Sequence, residues 1–248
     1  MKVSHWLRFL SVLSFPLCLL SAEPQGFQQD VNLGLTLNRG NSENTTLSLG
    51  FASRFRQEDV DWSLQATYQY GDSTVRDRDG GGRQTTTNLD KTTVESQANI
   101  LYSPRTYFLV GASYLRDRIS DIDYRVIGGP GIGHFLIRND HQSLSVELGL
   151  SYLFEEVRGV RDDYEVIRVA QRFEQRFGDH AEIWQSLEYL PEASEFSNYL
   201  LNAEIGAKAR LNGNLSLRIV LRNRYDNVPS ENQRKNDTSL ISGISYRF

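Results

Sequence analysis

Cysteine, methionine and histidine are scarce among the 248 residues of this sequence. The single cysteine, Cys18, and the single methionine, Met1, lie in the first 22 residues, so the rest of the chain can form no disulfide and no thiolate metal site. Beyond residue 22 the only histidines are His134, His141 and His180. Because a serine hydrolase needs a histidine beside its nucleophile, and two of these three lie in predicted turns, we expect no enzymatic site, no metal and no cofactor.

The one long apolar run lies at the N-terminus, where residues 1–22 have the form of a secretory signal peptide. Lys2 and Arg8 supply a positive start, and Phe9 to Leu20 is apolar apart from small serines and one proline. Ala22 offers a small residue at the cleavage site. The run is shorter than the roughly 20 residues of a membrane-spanning helix, so we expect it to be removed.

Removal of residues 1–22 leaves 25 basic and 31 acidic residues, a net charge of −6. This negative balance argues against a nucleic-acid partner, which would require clustered lysine and arginine. No later run is long and apolar enough for a transmembrane helix. We therefore predict a removed signal (residues 1–22), a short periplasmic segment (residues 23–29) and an outer-membrane barrel (residues 30–248).

A period-two pattern organises the rest of the chain, and it is clearest in the last eleven residues. The residues on one face there are Leu240, Ser242, Ile244, Tyr246 and Phe248. Such alternation predicts a strand with one apolar face. A last strand that ends on an aromatic residue resembles that of bacterial outer-membrane barrels. We therefore predict that Tyr246 and Phe248 form an assembly signal for the barrel-assembly machinery.

The same alternation recurs twelve times between Asp30 and Phe248. The connections after even strands are short: Gln57–Asp59, Ser103–Arg105, Arg138–His141, Gly178–Asp179 and Asn212–Asn214. Those after odd strands, the first excepted, are long and charged: Gly71–Asn88, Arg116–Asp123, Glu155–Asp163, Pro191–Asn198 and Asp226–Asp237. Short periplasmic turns and long outer loops are typical of transmembrane barrels. The pattern predicts an all-β fold, an antiparallel up-and-down transmembrane β-barrel of about 12 strands in the bacterial outer membrane, with both termini periplasmic.

Aromatic residues favour the barrel over a soluble β-sandwich, the main alternative for a chain of alternating strands. They lie near predicted strand ends, at Trp62, Tyr68, Tyr70, Tyr102, Tyr114 and Tyr152. In membrane barrels such residues form girdles at the two membrane interfaces. A sandwich would require neither these girdles nor the alternation in loop length.

Two stretches resemble a known family. Leu35 to Gly50, and Asp117 to Phe135 with its Arg125 and spaced glycines, are similar to the YdiY-like family of salt-induced outer-membrane proteins. The similarity spans Asp30 to Phe248. The family is itself a domain of unknown function. The resemblance therefore implies an outer-membrane barrel and a link to salt stress, and it brings no catalytic or ligand-binding residues.

A glycine-rich segment, Gly128 to Gly133, superficially suggests a phosphate-binding loop. No helix and no lysine followed by serine or threonine comes after it, so we reject the nucleotide hypothesis. On a strand, Gly129, Gly131 and Gly133 share the inward face and leave a smooth wall. This wall could face bulky lumen side chains, or it could face open water.

Two groups of aspartates resemble parts of calcium-binding loops, namely Asp77 with Asp79, and Asp117 with Asp121 and Asp123. Their spacing lacks the full set of calcium ligands. We interpret both as solvated surface loops.

Charged residues on the predicted inward faces form a candidate lumen charge cluster. Its members are Arg54, Glu147, Arg168, Arg172, Glu182, Glu188, Glu204, Lys208, Arg218, Arg222 and Arg224. These residues could pair across strands and close the lumen. Alternatively, they could form the charged wall of an open pore. Strands eight, ten and eleven carry eight basic residues against four acidic ones on strands seven, nine and ten, and this excess favours anions.

These observations predict a narrow passive channel for ions or small solutes that is linked to salt or envelope stress. The alternative is a closed structural barrel whose external loops contact lipopolysaccharide or a partner, and an outer-membrane hydrolase is third. Expected partners are outer-membrane lipid, lipopolysaccharide and the assembly machinery. Twelve strands lie between filled small barrels and the open porins of about 16 strands, so strand number leaves the choice open.

Overall fold

The computed structural model describes residues 26–38, 42–76, 83–229 and 234–248. These residues form twelve antiparallel strands, as predicted. The strands are β1 (Phe27–Asn38), β2 (Ser42–Gln57), β3 (Val60–Arg76), β4 (Arg83–Leu101), β5 (Thr106–Asp117), β6 (Ile122–Arg138), β7 (Gln142–Val157), β8 (Val160–Phe177), β9 (Ala181–Pro191), β10 (Tyr199–Asn212), β11 (Leu215–Asp226) and β12 (Asn236–Arg247). Each strand pairs with its neighbours in the chain, and β1 pairs with β12 to close the barrel.

Two sequence predictions fall on residues that the structure does not describe: the signal peptide at residues 1–22, and the loop aspartates Asp77 and Asp79. The first strand begins at Phe27, inside the segment predicted to precede the barrel. Within the four described ranges, no helix is long and apolar enough to cross a membrane.

The two ends of the barrel differ. The turn end is where β2 joins β3 and β10 joins β11, each through two residues, 58–59 and 213–214. The opposite end, where β5 joins β6 and β7 joins β8, is the loop end. These names do not assign either end to a side of a membrane.

Side chains alternate between the outside and the lumen, as the period-two pattern predicts. On β7, Leu148 points outward and is 55% exposed, whereas its neighbour Glu147 points inward and is 5% exposed. The apolar side chains that the barrel leaves exposed therefore form its outer face. In water such a surface would cost free energy, and against lipid it would not.

The outer face becomes polar toward the loop end. On β3 it is apolar and aromatic as far as Tyr70. Beyond that residue, Asp72 accepts a hydrogen bond of 3.0 Å from Thr87, and the hydroxyls of Thr74 and Thr85 lie 2.8 Å apart. The strands thus extend past the apolar band as paired hairpins with polar surfaces.

This extension corrects the predicted loops. Strand β3 continues to Arg76 and β4 begins at Arg83, so most of the predicted loop Gly71–Asn88 is paired strand. The polar side chains there favoured a loop in the sequence, but ladder hydrogen bonds come from the backbone and form whatever the side chains are.

The same correction applies to two other loops. The predicted loops Arg116–Asp123 and Glu155–Asp163 shorten to residues 118–121 and 158–159, so the predicted alternation in loop length is wrong for these hairpins. Residues 192–198, between β9 and β10, remain a longer connection, as predicted.

Aromatic rings pack together at both ends of the outer face. At the turn end, the ring centroids of Phe27 and Phe55 lie 4.6 Å apart. At the other limit of the apolar band, Tyr152 and Phe154 are 4.6 Å apart. These positions match two interfacial girdles.

Among the described residues, the seam between β1 and β12 is the shortest ladder of the barrel. It pairs only Asp30–Leu33 with Ile244–Arg247, whereas β2 and β3 pair along the whole of β2. Just beyond these pairs, a methyl group on Gly243 would lie 2.1 Å from the carbonyl oxygen of Leu33, so only glycine permits this approach.

Candidate functional site

A cavity of about 830 Å³ occupies the barrel interior. Its lining includes Arg54 and Glu182 near the turn end, and Arg158 and Val160 near the loop end. The barrel is therefore not filled by side chains along its length.

All eleven members of the predicted lumen charge cluster line this cavity. They are Arg54, Glu147, Arg168, Arg172, Glu182, Glu188, Glu204, Lys208, Arg218, Arg222 and Arg224. The period-two pattern thus placed each of them on the correct face of its strand.

The predicted excess of basic residues is wrong. The cavity lining contains twelve basic residues: Arg54, Lys91, Arg125, Arg158, Arg168, Arg172, Lys208, Arg218, Arg222, Arg224, Arg234 and Lys235. It also contains twelve acidic ones: Asp30, Glu95, Asp117, Glu147, Glu155, Asp162, Glu174, Glu182, Glu188, Glu204, Asp226 and Asp237. Most of the additional acids lie near strand ends, where their polar neighbours are typical of loops. The described lining is therefore balanced in charge.

Glu147 is the centre of the largest hydrogen-bonded group on the wall. Its carboxylate accepts bonds from Arg168 at 2.8 Å, from the Tyr107 hydroxyl at 2.7 Å and from Gln97 at 3.0 Å. Arg168 also donates to Glu188 on β9 at 2.6 Å. Buried charges are stable only when they are paired and hydrogen-bonded, and this group meets both conditions.

The inward glycines make this group possible. Tyr107 on β5 and Glu147 on β7 lie on either side of Gly133 on β6, in one row of the sheet. A methyl group on Gly133 would lie 2.2 Å from the Tyr107 ring. The ring therefore lies across the glycine to reach Glu147, so the smooth glycine wall is covered here by a bulky lumen side chain.

Trp184 and Gly206 repeat this arrangement on β9 and β10. The indole covers Gly206 and donates a hydrogen bond of 2.7 Å to Glu204. Arg222 donates two bonds to the same carboxylate, at 2.8 and 2.6 Å. The guanidinium of Arg218 lies 5.2 Å from the centre of the indole ring, within the range of a cation–π contact.

Several ion pairs cross the lumen instead of following its wall. Arg54 on β2 and Glu174 on β8 stand six strands apart in the ring of twelve, and their charged atoms are 3.8 Å apart. Near the loop end, Arg125 on β6 contacts Asp226 on β11 at 3.1 Å and Glu155 on β7 at 2.5 Å. These contacts narrow the cavity.

Lys91 and Lys208 also bridge strands that are not neighbours. Lys91 on β4 contacts Asp117 at 2.7 Å and also pairs with Asp237 on β12. Lys208 on β10 contacts Asp30 on β1 at 2.9 Å. Together with the arginine pairs, these bridges connect opposite sides of the barrel near both ends.

One side of the lumen is apolar near the loop end. Leu153, Val166, Leu190 and Leu200 are buried against one another there, on four successive strands. This cluster further restricts the path to the side that carries the charged residues.

Three basic residues of the predicted cluster have no carboxylate within 4.0 Å in the described part of the chain: Arg172, Arg218 and Arg224. All three side chains contribute to the lining of the cavity without a direct ion pair.

Among the residues that the structure describes, no three histidine or carboxylate side chains lie close enough together to hold a metal ion. His134 lies on β6 with its ring nitrogen 3.0 Å from the Thr106 hydroxyl. Asp117 pairs with Lys91, and Asp121 contacts Arg158 at 3.1 Å. These two carboxylates are engaged by cationic side chains of the protein.

The predicted assembly residues lie together at the turn end. Tyr246 is on β12 and Phe248 follows it, with ring centroids 5.1 Å apart. Both side chains are exposed on the outer face.

Comparison with known proteins provides a family and a fold. The family model described as "Protein of unknown function, DUF481" matches residues 31–248. No curated protein matches the chain.

Among solved structures, the chain is similar to the NanC porin, with a TM-score of 0.50 and 10% identity over 88% of this chain and 98% of that one. It is also similar to the translocator domain of the autotransporter NalP from Neisseria meningitidis, with a TM-score of 0.47 and 15% identity over 98% and 95%. It is similar as well to the KdgM porin, with a TM-score of 0.46 and 12% identity over 89% of this chain and 99% of that one. At such identities the likeness concerns the fold alone.

Proposed function

The chain belongs to the family described as Protein of unknown function, DUF481, and we propose that it forms a narrow passive channel for ions or small solutes in the bacterial outer membrane. The observation that carries this proposal is the cavity of about 830 Å³, whose lining reaches from Arg54 near one end of the barrel to Arg158 near the other. A wall of charged and amide side chains can replace part of the hydration shell of a small ion.

The outer surface supports the membrane location. It presents apolar side chains such as Leu148 and Leu150, bounded by aromatic pairs at the two limits of the band. We propose that the loop end faces outward and that both chain termini lie in the periplasm. In this arrangement the connections of the turn end, such as residues 58–59 and 213–214, are periplasmic, and short periplasmic turns are typical of outer-membrane barrels.

The proposed channel is narrow and weakly selective. Bridges such as Arg54–Glu174 and Arg125–Asp226 cross the lumen, and we expect them to admit small ions and to exclude larger solutes. Because acidic and basic residues are equally numerous on the described wall, we expect neither cations nor anions to be strongly favoured. The link to salt stress rests on the resemblance to the YdiY-like family, and lipid, lipopolysaccharide and the assembly machinery are the partners that we propose. We assign no enzymatic activity.

A second candidate function is a closed structural barrel that acts through its external surface. The cross-lumen ion pairs favour it, since a side chain that spans the lumen can close it as well as narrow it. In that case the cavity would hold only trapped water.

Ion flux across proteoliposomes distinguishes these two functions. The mature chain, residues 23–248, is refolded into vesicles that are loaded with potassium chloride, and release of each ion is followed with an ion-selective electrode. The channel predicts release of both ions, while a co-loaded disaccharide is retained. Vesicles that retain both ions, although heat-modifiable folded barrel is present in their membranes, would support the closed structural barrel.

A further inference from the structure

A second, much smaller cavity of about 20 Å³ lies in the lumen wall beside the β1–β12 seam. Its polar lining consists of Arg218 and Arg222 on β11, Asn32 on β1, Ser48 on β2, and Gln65 and Thr67 on β3. We call this cavity the wall niche. Its described lining contains no carboxylate. The two guanidinium groups only donate hydrogen bonds, and the amide and hydroxyl groups can donate or accept them.

The niche has a net positive charge. Arg222 is neutralised by Glu204, to which it donates two hydrogen bonds. Arg218 has no such partner, because no carboxylate of the described chain lies within 4.0 Å of it. Its guanidinium is held against the Trp184 ring, which orients the charge without neutralising it.

The niche is adjacent to polar atoms that lack a partner. The Oδ1 atom of Asn32 is buried and makes no hydrogen bond. The Oγ atom of Ser245, the residue that pairs with Asn32 across the seam, is in the same condition. Rotation of the Asn32 amide by 180° replaces its oxygen with an NH₂ donor, and the Ser245 hydroxyl can also donate. With the amide in that orientation, an occupant that accepts hydrogen bonds would satisfy Asn32, which lines the niche, whereas Ser245 lies outside the lining.

The size of the niche favours a small occupant. A volume of about 20 Å³ holds roughly one small sphere. Phosphate, sulfate and nitrate each contain four or more heavy atoms and match this space less well than a single atom does. A halide ion is a single atom that accepts hydrogen bonds from several directions at once.

We propose that the wall niche binds one halide ion, chloride under physiological conditions, through Arg218 together with Asn32 and Arg222. The bound ion neutralises the unpaired guanidinium beside the β1–β12 seam, the shortest described ladder, and so stabilises the folded barrel. This inference goes beyond the proposed channel function, because it holds whether or not the lumen conducts.

The test is a comparison of melting temperatures. The mature chain is refolded in detergent micelles, and its unfolding temperature is measured in sodium chloride, sodium bromide and sodium gluconate at equal ionic strength. We expect a saturable upward shift in both halides relative to gluconate. The variant Arg218→Gln should lose this shift. The control Arg172→Gln, another lumen arginine without a carboxylate partner but outside the niche, should retain it.

Crystals that contain bromide give a second measurement that does not depend on stability. Anomalous scattering should reveal one bromide between Arg218 and Asn32. A niche that holds only water, or a halide shift that persists in Arg218→Gln, would overturn the proposal. If the vesicles release ions but the barrel in micelles shows no halide-specific shift in melting temperature, the niche proposal fails and the channel stands. If the barrel shows the halide shift but the vesicles release no ions, the niche proposal stands and the channel proposal fails.

Discussion

Tyr107 on β5 and Glu147 on β7 are joined by a hydrogen bond of 2.7 Å, although β6 lies between their strands. The bond exists because Gly133 on β6 leaves space for the Tyr107 ring to lie across it. Gly133 thus allows Tyr107 to reach past β6, and the lumen network therefore connects β5 with β7.

Substitution of Gly133 by alanine should break this arrangement. The new methyl group would lie 2.2 Å from the ring, so Tyr107 must move and Glu147 loses a donor. We expect a destabilisation of about 1–3 kcal/mol, as for other overpacked sites. Urea unfolding of the refolded barrel measures it. The matched control is Gly111→Ala, at another inward-facing glycine, on β5. The atoms nearest to its new methyl group lie 3.8 Å away, so no loss of stability is expected. Equal stability of the two variants would contradict the role given to Gly133.

The outward register of β7 can be tested with arginine. Leu148→Arg places a charge halfway along the apolar band and should cost about 2–4 kcal/mol. Leu144→Arg, on the same face but near the turn end, should cost roughly 0–1 kcal/mol because an arginine there can reach the interface. Both are measured by unfolding in lipid vesicles. If the two positions had the same cost, Leu148 would not lie near the midplane.

The C-terminal aromatic residue is predicted to matter for assembly. Phe248→Ser should reduce the amount of barrel in the outer membrane, while export of the chain continues. Quantitative immunoblots of fractionated cells provide the measurement. Leu240→Ser removes another exposed apolar side chain, from the outer face of β12, and is the control. A normal yield of the Phe248 variant would show that assembly does not depend on this residue.

Two arginines on β11 should respond differently to charge reversal. Arg218→Glu changes a residue without an ion-pair partner, so we expect the reversal potential in a salt gradient to shift toward cations in a barrel that stays folded. Arg222→Glu places a carboxylate against Glu204 and should destabilise the barrel by about 3–5 kcal/mol. Planar-bilayer recordings and thermal unfolding measure the two effects. A stable Arg222→Glu variant would contradict the described pairing.

The strands and their inward faces could be predicted because alternation is a local property. Each of the eleven predicted lumen residues, from Arg54 to Arg224, required only its own strand to be assigned. The loops were overestimated for a related reason. Beyond Tyr70 the outer face is polar, and residues such as Asp72 and Thr87 have a loop-like composition although their backbones are paired.

The partners across the lumen could not be predicted. Whether Arg54 meets Glu174 depends on the circumference and stagger of the closed barrel, and no single strand carries that information. For the same reason the charge balance was misjudged. Residues such as Asp226 and Asp237 lie at strand ends, and only the fold brings them to the lumen wall.

Single-channel current through the mature chain, refolded into a planar bilayer in potassium chloride, tests the central claim most directly. We predict discrete current steps, smaller than those of an open porin of about 16 strands because the cross-lumen pairs narrow the path. Arg125→Gln, which removes the contact of Arg125 with Asp226, should enlarge the steps. An inserted wild-type barrel that gives no current would contradict the account, and if the Arg125 variant also gave none, the lumen would be closed.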